Sequence, residues 1–442
     1  MSNKLETNNR QITKEFSSFF HLKGFSLIFE IIKRLKGFLL YLHINNKYEE
    51  FLSFLAWEIF HILKLNKNSY INFNNNPCLK LSDEQLLKIG EINQGFNGGI
   101  CERVHLPWKL VYIVNNEEMW GVISPRLHVL VKSSDEGNSY TDVFSFPSII
   151  DSLYVSRHNK IFVCCAGKVY KSKDNGATFD VVLKLSTSES YFLHDYGITE
   201  DEKGTIFIGE YGNIWSGKNG WKNIAFIYLS KDNGETFNQT DFFIKQGANK
   251  HIHIIRFCSY FKQLFLTDGD NKKRIWINES MQNFTKKSSG NEHGWMLMNK
   301  RHINTGGYLS VISLTDGILF GSDYLGGTNF LIKIRDSKKL EKKILPDPIR
   351  RNPISNLVNV KSSNGNQIWV NSRNDLGSKH SKSMLFYSND NGETWLKFIE
   401  YDGIKCDIVI KSASLNPTKY FFASIINKNN NDIIGTLKFK IN

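Results

Sequence analysis

The chain has 442 residues, with 56 Lys and Arg against 43 Asp and Glu, a net charge of +13 and a pI near 9.2. Hydrophobic residues make up 41% and aromatics 13%, with only eight prolines, which excludes a disordered or low-complexity chain and suits a large β core. The basic balance favours an anionic partner, whether nucleic acid, anionic lipid or acidic polysaccharide, unless it is a lysine-rich bias spread over solvated faces. No nucleic-acid partner is expected, because Lys and Arg are scattered and only "IKRLKG" (32–37) and "KIRDSKKLEKK" (333–343) are dense.

In chain order, "MSNKLETNNRQITKEF" lacks a basic-then-apolar leader pattern, and no run reaches the ~18 apolar residues of a membrane span. A cytoplasmic or peripheral-membrane location is therefore expected. Between residues 12 and 65, Phe25, Ile28, Phe29, Ile32, Leu35, Leu39 and Leu42 recur at helical spacing, and Leu52, Leu55, Ile59, Ile62 and Leu63 form a second stripe. Residues 1–66 thus read as an amphipathic helical segment. It packs on the main domain or a second copy, or it contacts a membrane surface or partner. "NKNSYINFNNNP" opens a polar linker over 67–98. The six cysteines form no C-x-x-C pair and read as free thiols.

From residue 99 to 442, short apolar runs alternate with Gly, Asn, Asp and Ser clusters, as in "KIFVCCAG", "TIFIGEYG" and "QIWVNSRN". One turn recurs: "KSKDNGATF" (171–179), "LSKDNGETF" (229–237) and "YSNDNGETW" (387–395), with a fourth copy at "SSDEGNSY" (133–140). The residue types suit a self-anchored hairpin turn. Asp135, Asp174, Asp232 and Asp390 can accept from the amides of their own turns, and the Gly supplies a left-handed conformation. The aromatic opens the next strand.

These turns resemble the Asp box, or BNR repeat, of sialidase-like β-propellers. The resemblance implies an all-β fold, a six- or seven-bladed propeller over 99–442 with an N-terminal α-helical extension. The Ser positions step by 39, 58 and 158. At the ~40–50 residues of a blade, the last step leaves room for two eroded copies, for which "IWINESMQNFTKK" (275–287) and "LIKIRDSKKLEKK" (331–343) are the candidates. The units fall near 101–147, 150–187, 190–245, 250–290, 305–345, 355–400 and 405–440. This makes seven blades, or six if the two ends combine.

In such propellers the Asp boxes lie on the face away from the usual binding site and act as structural fasteners. On the opposite rim, the turns gather His194, Glu210, Tyr211, His251, His253, Asp268, Asp270, Asp323, Tyr324 and Arg373. Glu210, Tyr211, Asp268 and Asp270 are the catalytic candidates, since carboxylates and a phenol suit glycoside cleavage or proton abstraction. His194, His251, His253, Asp323, Tyr324 and Arg373 are the substrate-binding candidates. His251-x-His253 with His194 also has metal-ligand character, but ligand contact or a structural role is preferred, and no metal or cofactor is expected.

The chain departs from true sialidases. "ERVHLP" (102–107) is the nearest match to the family's Arg-Ile-Pro motif and keeps only Arg103 and Pro107. Exo-sialidase activity is therefore not expected. Two functions stand open: recognition and cleavage of a glycan, by hydrolysis or lyase chemistry and with anionic polysaccharide favoured, or a non-catalytic binding or assembly scaffold linked to surface-glycan biosynthesis.

Overall fold

The four repeated turns occupy one place in the architecture. Each joins the third and fourth strands of an antiparallel sheet, after Ser133, Ser172, Ser230 and Ser388. The computed structural model describes residues 48–442 except 66–68, 89–92, 97–98, 217–220, 249, 270–273, 279–293, 299–306, 325, 337–338 and 364, together with positions 29, 32, 33, 37, 39 and 42. Most of the first helical stripe and the second half of the 275–287 repeat candidate lie outside the described residues.

The turn chemistry is the same at all four places. In the second copy, the Ser172 hydroxyl donates to Asp174 Oδ1 (2.9 Å) and accepts from the Gly176 amide (2.8 Å). The Thr178 amide and hydroxyl donate to the two Asp174 oxygens at 2.9 and 2.6 Å. Ser133/Asp135/Ser139, Ser230/Asp232/Thr236 and Ser388/Asp390/Thr394 repeat this pattern. Gly176 sits at φ 91° directly after Asn175 at φ 57°, a pair of left-handed residues that a β-branched side chain could not provide.

Seven sheets form the blades of the propeller. Blades 1 to 6 span 108–145, 150–184, 198–240, 252–297, 307–344 and 354–401. Blade 7 takes Cys406–Ile410, Tyr420–Asn427 and Ile433–Ile441 from the C-terminal end, and Gly99–Val104 from the N-terminal side pairs antiparallel with Ile433–Ile441. The ends therefore do combine, yet the ring still has seven blades. Gly99–Val104 belongs to the last blade, and the first begins at Trp108. Blade 7 has no repeated turn because its third and fourth strands lie at opposite ends of the propeller sequence. In blade 5, Phe330–Asp336 and Lys339–Ile344 are the third and fourth strands, so the 331–343 segment occupies the equivalent hairpin.

Adjacent blades bury apolar layers between them. Blades 6 and 7 enclose Trp369, Tyr387, Phe421 and Phe439, and blades 7 and 1 enclose Trp108 and Phe422. Closing the ring leaves no blade face uncovered.

Before entering the ring, the chain runs along its outside. Helix α1 (Tyr48–Ile62) sets Trp57 edge-on to Phe330 of blade 5, with centroids 4.8 Å apart. Glu58 of α1 pairs with Arg350 and Arg351. Residues 70–81 then lie parallel to the outer strands of blades 5 and 6, through Tyr70–Ile344, Phe73–Trp395 and Leu79–Leu81 beside Ile399–Tyr401. Helix α2 (Asp83–Lys88) begins with a reciprocal cap between Ser82 and Gln85. The buried Asp83 carboxylate accepts the amides of Gly403, Ile404 and Lys405. Residues 70–88, read from sequence as linker, thus form a strap around blades 5 to 7.

Candidate functional site

The first strand of each blade is innermost within its blade, and in five of the seven its rim end carries the same irregularity. The ladder slips between Trp108 and Leu110, Ile150 and Ser152, Ile252 and Ile254, Tyr308 and Ser310, and Ile354 and Asn356. The residues left over are Lys109, Asp151, His253, Leu309 and Ser355. A bulge releases its residue from the pleat and re-aims the side chain. Four of these five residues are polar.

Blade 3 carries the same irregularity greatly enlarged. Tyr191 bridges Tyr211, and the ladder resumes where the Gly209 amide donates to the Gly197 carbonyl, before Ile198–Ile208. The five residues Phe192–Tyr196 therefore stand opposite the single Glu210. They cross the centre of the ring. His194 Nε2 contacts the Val111 carbonyl of blade 1 (3.0 Å), while its Nδ1 accepts the Leu153 amide of blade 2 (3.3 Å). The Ile255 amide of blade 4 donates to the Tyr196 carbonyl (2.8 Å). The Tyr196 hydroxyl reaches Leu357 of blade 6, on the far side. Val111, Leu153, Ile255 and Leu357 are each the fourth residue of their inner strands, so the segment forms a level plug.

Two polar groups result. On the rim side lie Lys109, Asp151, Ser355 and Asp407 at second positions of inner strands, with Arg373 and Lys428 from neighbouring loops. Lys428 Nζ donates to the carbonyls of Asn374 and Gly403 (3.0 Å each) and lies 3.3 Å from Asp407 Oδ2. Arg373 Nη2 is 3.3 Å from Asp375. Arg373 Nε, Asn356 Oδ1 and Asp407 Oδ1 are buried without a hydrogen-bond partner. Burial pushes the Asp407 carboxyl up to about 6, against the pull of Lys428 and Arg373. Burial, aided by Lys109, brings the Lys411 ammonium down to about 8, and burial also raises the carboxyls of Asp151 and Asp195. On the other side of the plug, Tyr112 and Tyr154 meet edge to face at 5.4 Å, and their hydroxyls, with Glu200 Oε2, are unpartnered.

The sequence-nominated residues divide accordingly. Glu210 is fully buried. Its Oε1 accepts the Ser186 amide (3.1 Å) and hydroxyl, and its Oε2 accepts the Tyr228 hydroxyl (2.6 Å). Asp268 is buried under Arg274, whose Nε and Nη2 each lie 2.6 Å from Oδ2, and it also accepts from the Trp276 indole (3.1 Å). Asp270 lies outside the described residues. Tyr211, His251 and His253 come together, with ring centroids 4.0 Å apart for Tyr211–His251 and 4.8 Å for His251–His253. The two histidine Nδ1 atoms face the carbonyls of Gly212 (2.7 Å) and Tyr308 (3.0 Å), and their Nε2 atoms meet at 2.8 Å. Carbonyls only accept, so both Nδ1 atoms carry hydrogen, and the Nε2 contact requires one further proton on one ring. His194 is part of the plug, away from this pair. Among the described residues, no group of three or more His, Cys, Asp or Glu is arranged to hold a metal ion. Tyr324 is buried, with its amide and carbonyl both held by Asn329 (2.8 Å each). Asp323 is half-buried and acts electrostatically on Arg373.

Sequence reasoning missed Lys109, Asp151, Asp195, Asn356, Asp407, Lys411 and Lys428. One signal was present: a polar residue second in an apolar strand, in "WKLVYI", "IDSLYV", "ISNLVN" and "CDIVI".

No family model and no curated protein matches this chain. Among solved structures, a catalytically inactive virginiamycin B lyase from Staphylococcus aureus with quinupristin aligns with a TM-score of 0.50 at 13% identity, covering 80% of this chain and 98% of that one. YCF48 from Cyanidioschyzon merolae aligns at 0.49 and 11% identity, covering 77% and 98%. The C-terminal WD40 domain of Sif2 aligns at 0.42 and 10%, covering 79% and 84%. The likeness is one of fold, the β-propeller. Among the described residues, no helix is long and apolar enough to cross a membrane.

Proposed function

We propose that this chain is a sialidase-like binding propeller that recognises an anionic glycan at its plugged rim without cleaving it. The observation that carries this reading is how hydrogen-bonding capacity is divided. Both oxygens of Glu210 are spent within the frame, and Asp268 is spent on Arg274 and Trp276. Arg373, Asn356 and Asp407 at the rim end of the shaft each keep an unpartnered polar atom, as do Tyr112, Tyr154 and Glu200 beyond the plug, but the rim group sets two cations, Arg373 and Lys428, around the Asp407 carboxyl. A guanidinium group with Lys428 nearby suits a carboxylate-bearing sugar. The four repeated turns support the Asp-box lineage. The test is to incubate the full chain with anionic polysaccharides and sialosides while following binding, new reducing ends and unsaturated-uronate absorbance together. Binding that is lost in Arg373→Ala, with no product, is the expected outcome. Product formation at an enzymatic rate overturns it.

A second reading rests on Asp407. A carboxyl held up to about 6 with one unengaged oxygen has the character of a general acid. In this reading Asp407 donates to a leaving group and Asp375 is its carboxylate partner. Product formation that disappears in Asp407→Asn selects it.

A further inference from the structure

Among the described residues, nine of the fourteen exposed large apolar side chains fall between Phe29 and Leu65, and the whole propeller supplies the other five. On α1 they follow the helix geometry. Phe54, Trp57, Glu58 and His61 turn toward blades 5 and 6. Leu52, Ile59 and Ile62, exposed at 57, 51 and 71%, lie on the opposite side, and Leu63 extends their line. The preceding stretch adds Phe29 at 68% and Ile32 at 64%. An apolar stripe of this kind is uncommon on a face left to water.

Charge selects the occupant. Lys33, Arg34, Lys36, Lys47, Lys64 and Lys67 punctuate the same stretch. Lys33 and Lys64 are exposed. The same stretch holds Glu30, Glu49, Glu50 and Glu58. Glu49 is exposed, whereas Glu58 faces inward and is neutralised by Arg350 and Arg351, so the six cations still outnumber the remaining acidic residues. The chain as a whole carries +13. Apolar side chains framed by cations, on a helix too short to span a bilayer, match the interface of an anionic leaflet, where the stem dips below the headgroups and lysines meet phosphate and carboxylate.

We infer that the outward face of α1, with Phe29 and Ile32, docks the propeller onto an anionic lipid surface. Trp57, Glu58 and His61 hold α1 to blade 5 and to the connection between blades 5 and 6. The inference does not depend on the glycan reading.

The experiment is co-sedimentation of the full chain with vesicles of phosphatidylcholine alone or with roughly one third phosphatidylserine, at low salt and at about 0.5 M salt. The expected result is binding to the anionic vesicles at least about tenfold tighter than to the neutral ones, weakened by salt. Leu52→Glu/Ile59→Glu/Ile62→Glu is expected to abolish binding with an unchanged thermal midpoint, because these side chains are already exposed. Lys64→Glu, which alters one exposed charge, is expected to weaken it about two- to tenfold. Equal or absent binding to both vesicle types overturns the inference. So does a chain that is dimeric by light scattering and becomes monomeric in the triple variant, which assigns the face to a second copy.

Discussion

The Tyr196 hydroxyl of blade 3 donates to the Leu357 carbonyl of blade 6 (3.2 Å) and accepts the Leu357 amide (3.0 Å). A phenol thereby ties two blades on opposite sides of the ring. Among the described residues, apart from the short pairing of Ser412–Ala413 with Val111–Tyr112 and the Val360–Thr418 bridge, the innermost strands have no ladder on their shaft side, so their inward amides and carbonyls need other partners. Tyr196→Phe removes both bonds with almost no change in volume and orphans a buried amide and carbonyl. It is expected to cost about 1–3 kcal/mol, read from urea unfolding midpoints. An unchanged midpoint would mean that water replaces the hydroxyl at no cost.

Glu210 separates the structural and catalytic readings of its carboxylate. Glu210→Ala leaves the Ser186 amide and Tyr228 hydroxyl unpartnered at the base of the plug. It is expected to cost on the order of 3 kcal/mol by chemical denaturation. A variant as stable as the parent that loses a measurable glycan-cleaving activity would instead return Glu210 to the catalytic role that its sequence context suggests.

The repeated turns were legible because they are local. Ser172, Asp174, Gly176 and Thr178 satisfy one another within seven residues, so the string alone specifies the bonds and, by repetition, the propeller. The plug was not legible in the same way. "YFLHDYG" stood out for its His, Asp and Tyr, yet its function in the fold depends on Val111, Leu153 and Leu357, which are distant in sequence and adjacent only after the ring closes. The burial of Glu210 and Asp268 was not legible for a related reason. Turn position marks them as rim residues, but exposure is set by Ser186, Tyr228, Arg274 and Trp276, partners that no spacing rule identifies. Asp407 went unnoticed in an ordinary strand, since its character comes from burial beside Lys428. The strap was obscured by composition, because Asn-rich polar sequence reads as linker even where its backbone pairs with blade edges.

Acid titration tests the repeated turns collectively. Hydrogen bonds from the Thr178 hydroxyl and amide, then from Ser172, hold the Asp174 carboxyl down to about 2. Asp135 reaches about 2 despite the opposing effect of partial burial, through Ser139. Asp232 and Asp390 are lowered in the same way. A carboxyl depressed in the folded state stabilises it above the ordinary value of 3.8 and loses that contribution as pH falls toward 2. Unfolding midpoints are therefore expected to drop between about pH 4 and pH 2, and Asp174→Asn is expected to flatten part of that limb. An acid limb of the same steepness in the variant counts against the turn.

Asp83 tests the strap. Its carboxylate gathers three consecutive amides, Gly403 at 2.8 Å, Ile404 at 2.8 Å and Lys405 at 2.6 Å, where blade 6 hands over to blade 7. Asp83→Ala leaves those amides without their acceptor and frees α2 from the ring. A loss of about 2–4 kcal/mol is expected, with proteolysis appearing first between residues 70 and 98. Cleavage that starts elsewhere, at unchanged stability, would mean that α2 is held mainly by Leu86 in the apolar layer between blades 6 and 7.

Asp407 makes a prediction of opposite sign in pH. Its folded carboxyl titrates near 6, above the ordinary 3.8, because burial penalises the charged form more than Lys428 and Arg373 favour it. The stability it contributes is fully present below about pH 4 and is lost as pH rises through about 6. Asp407→Asn keeps the shape and removes the titration. Relative to the parent, the variant is expected to gain stability on the order of 2 kcal/mol between about pH 4 and pH 7, read as converging or crossing urea midpoints. The change shares its window with no repeated-turn aspartate, since those titrate below 3.8. If the difference between parent and variant is flat across that window, the Asp407 carboxyl is ionised throughout and Lys428 holds it, which removes the basis for a general acid at this rim.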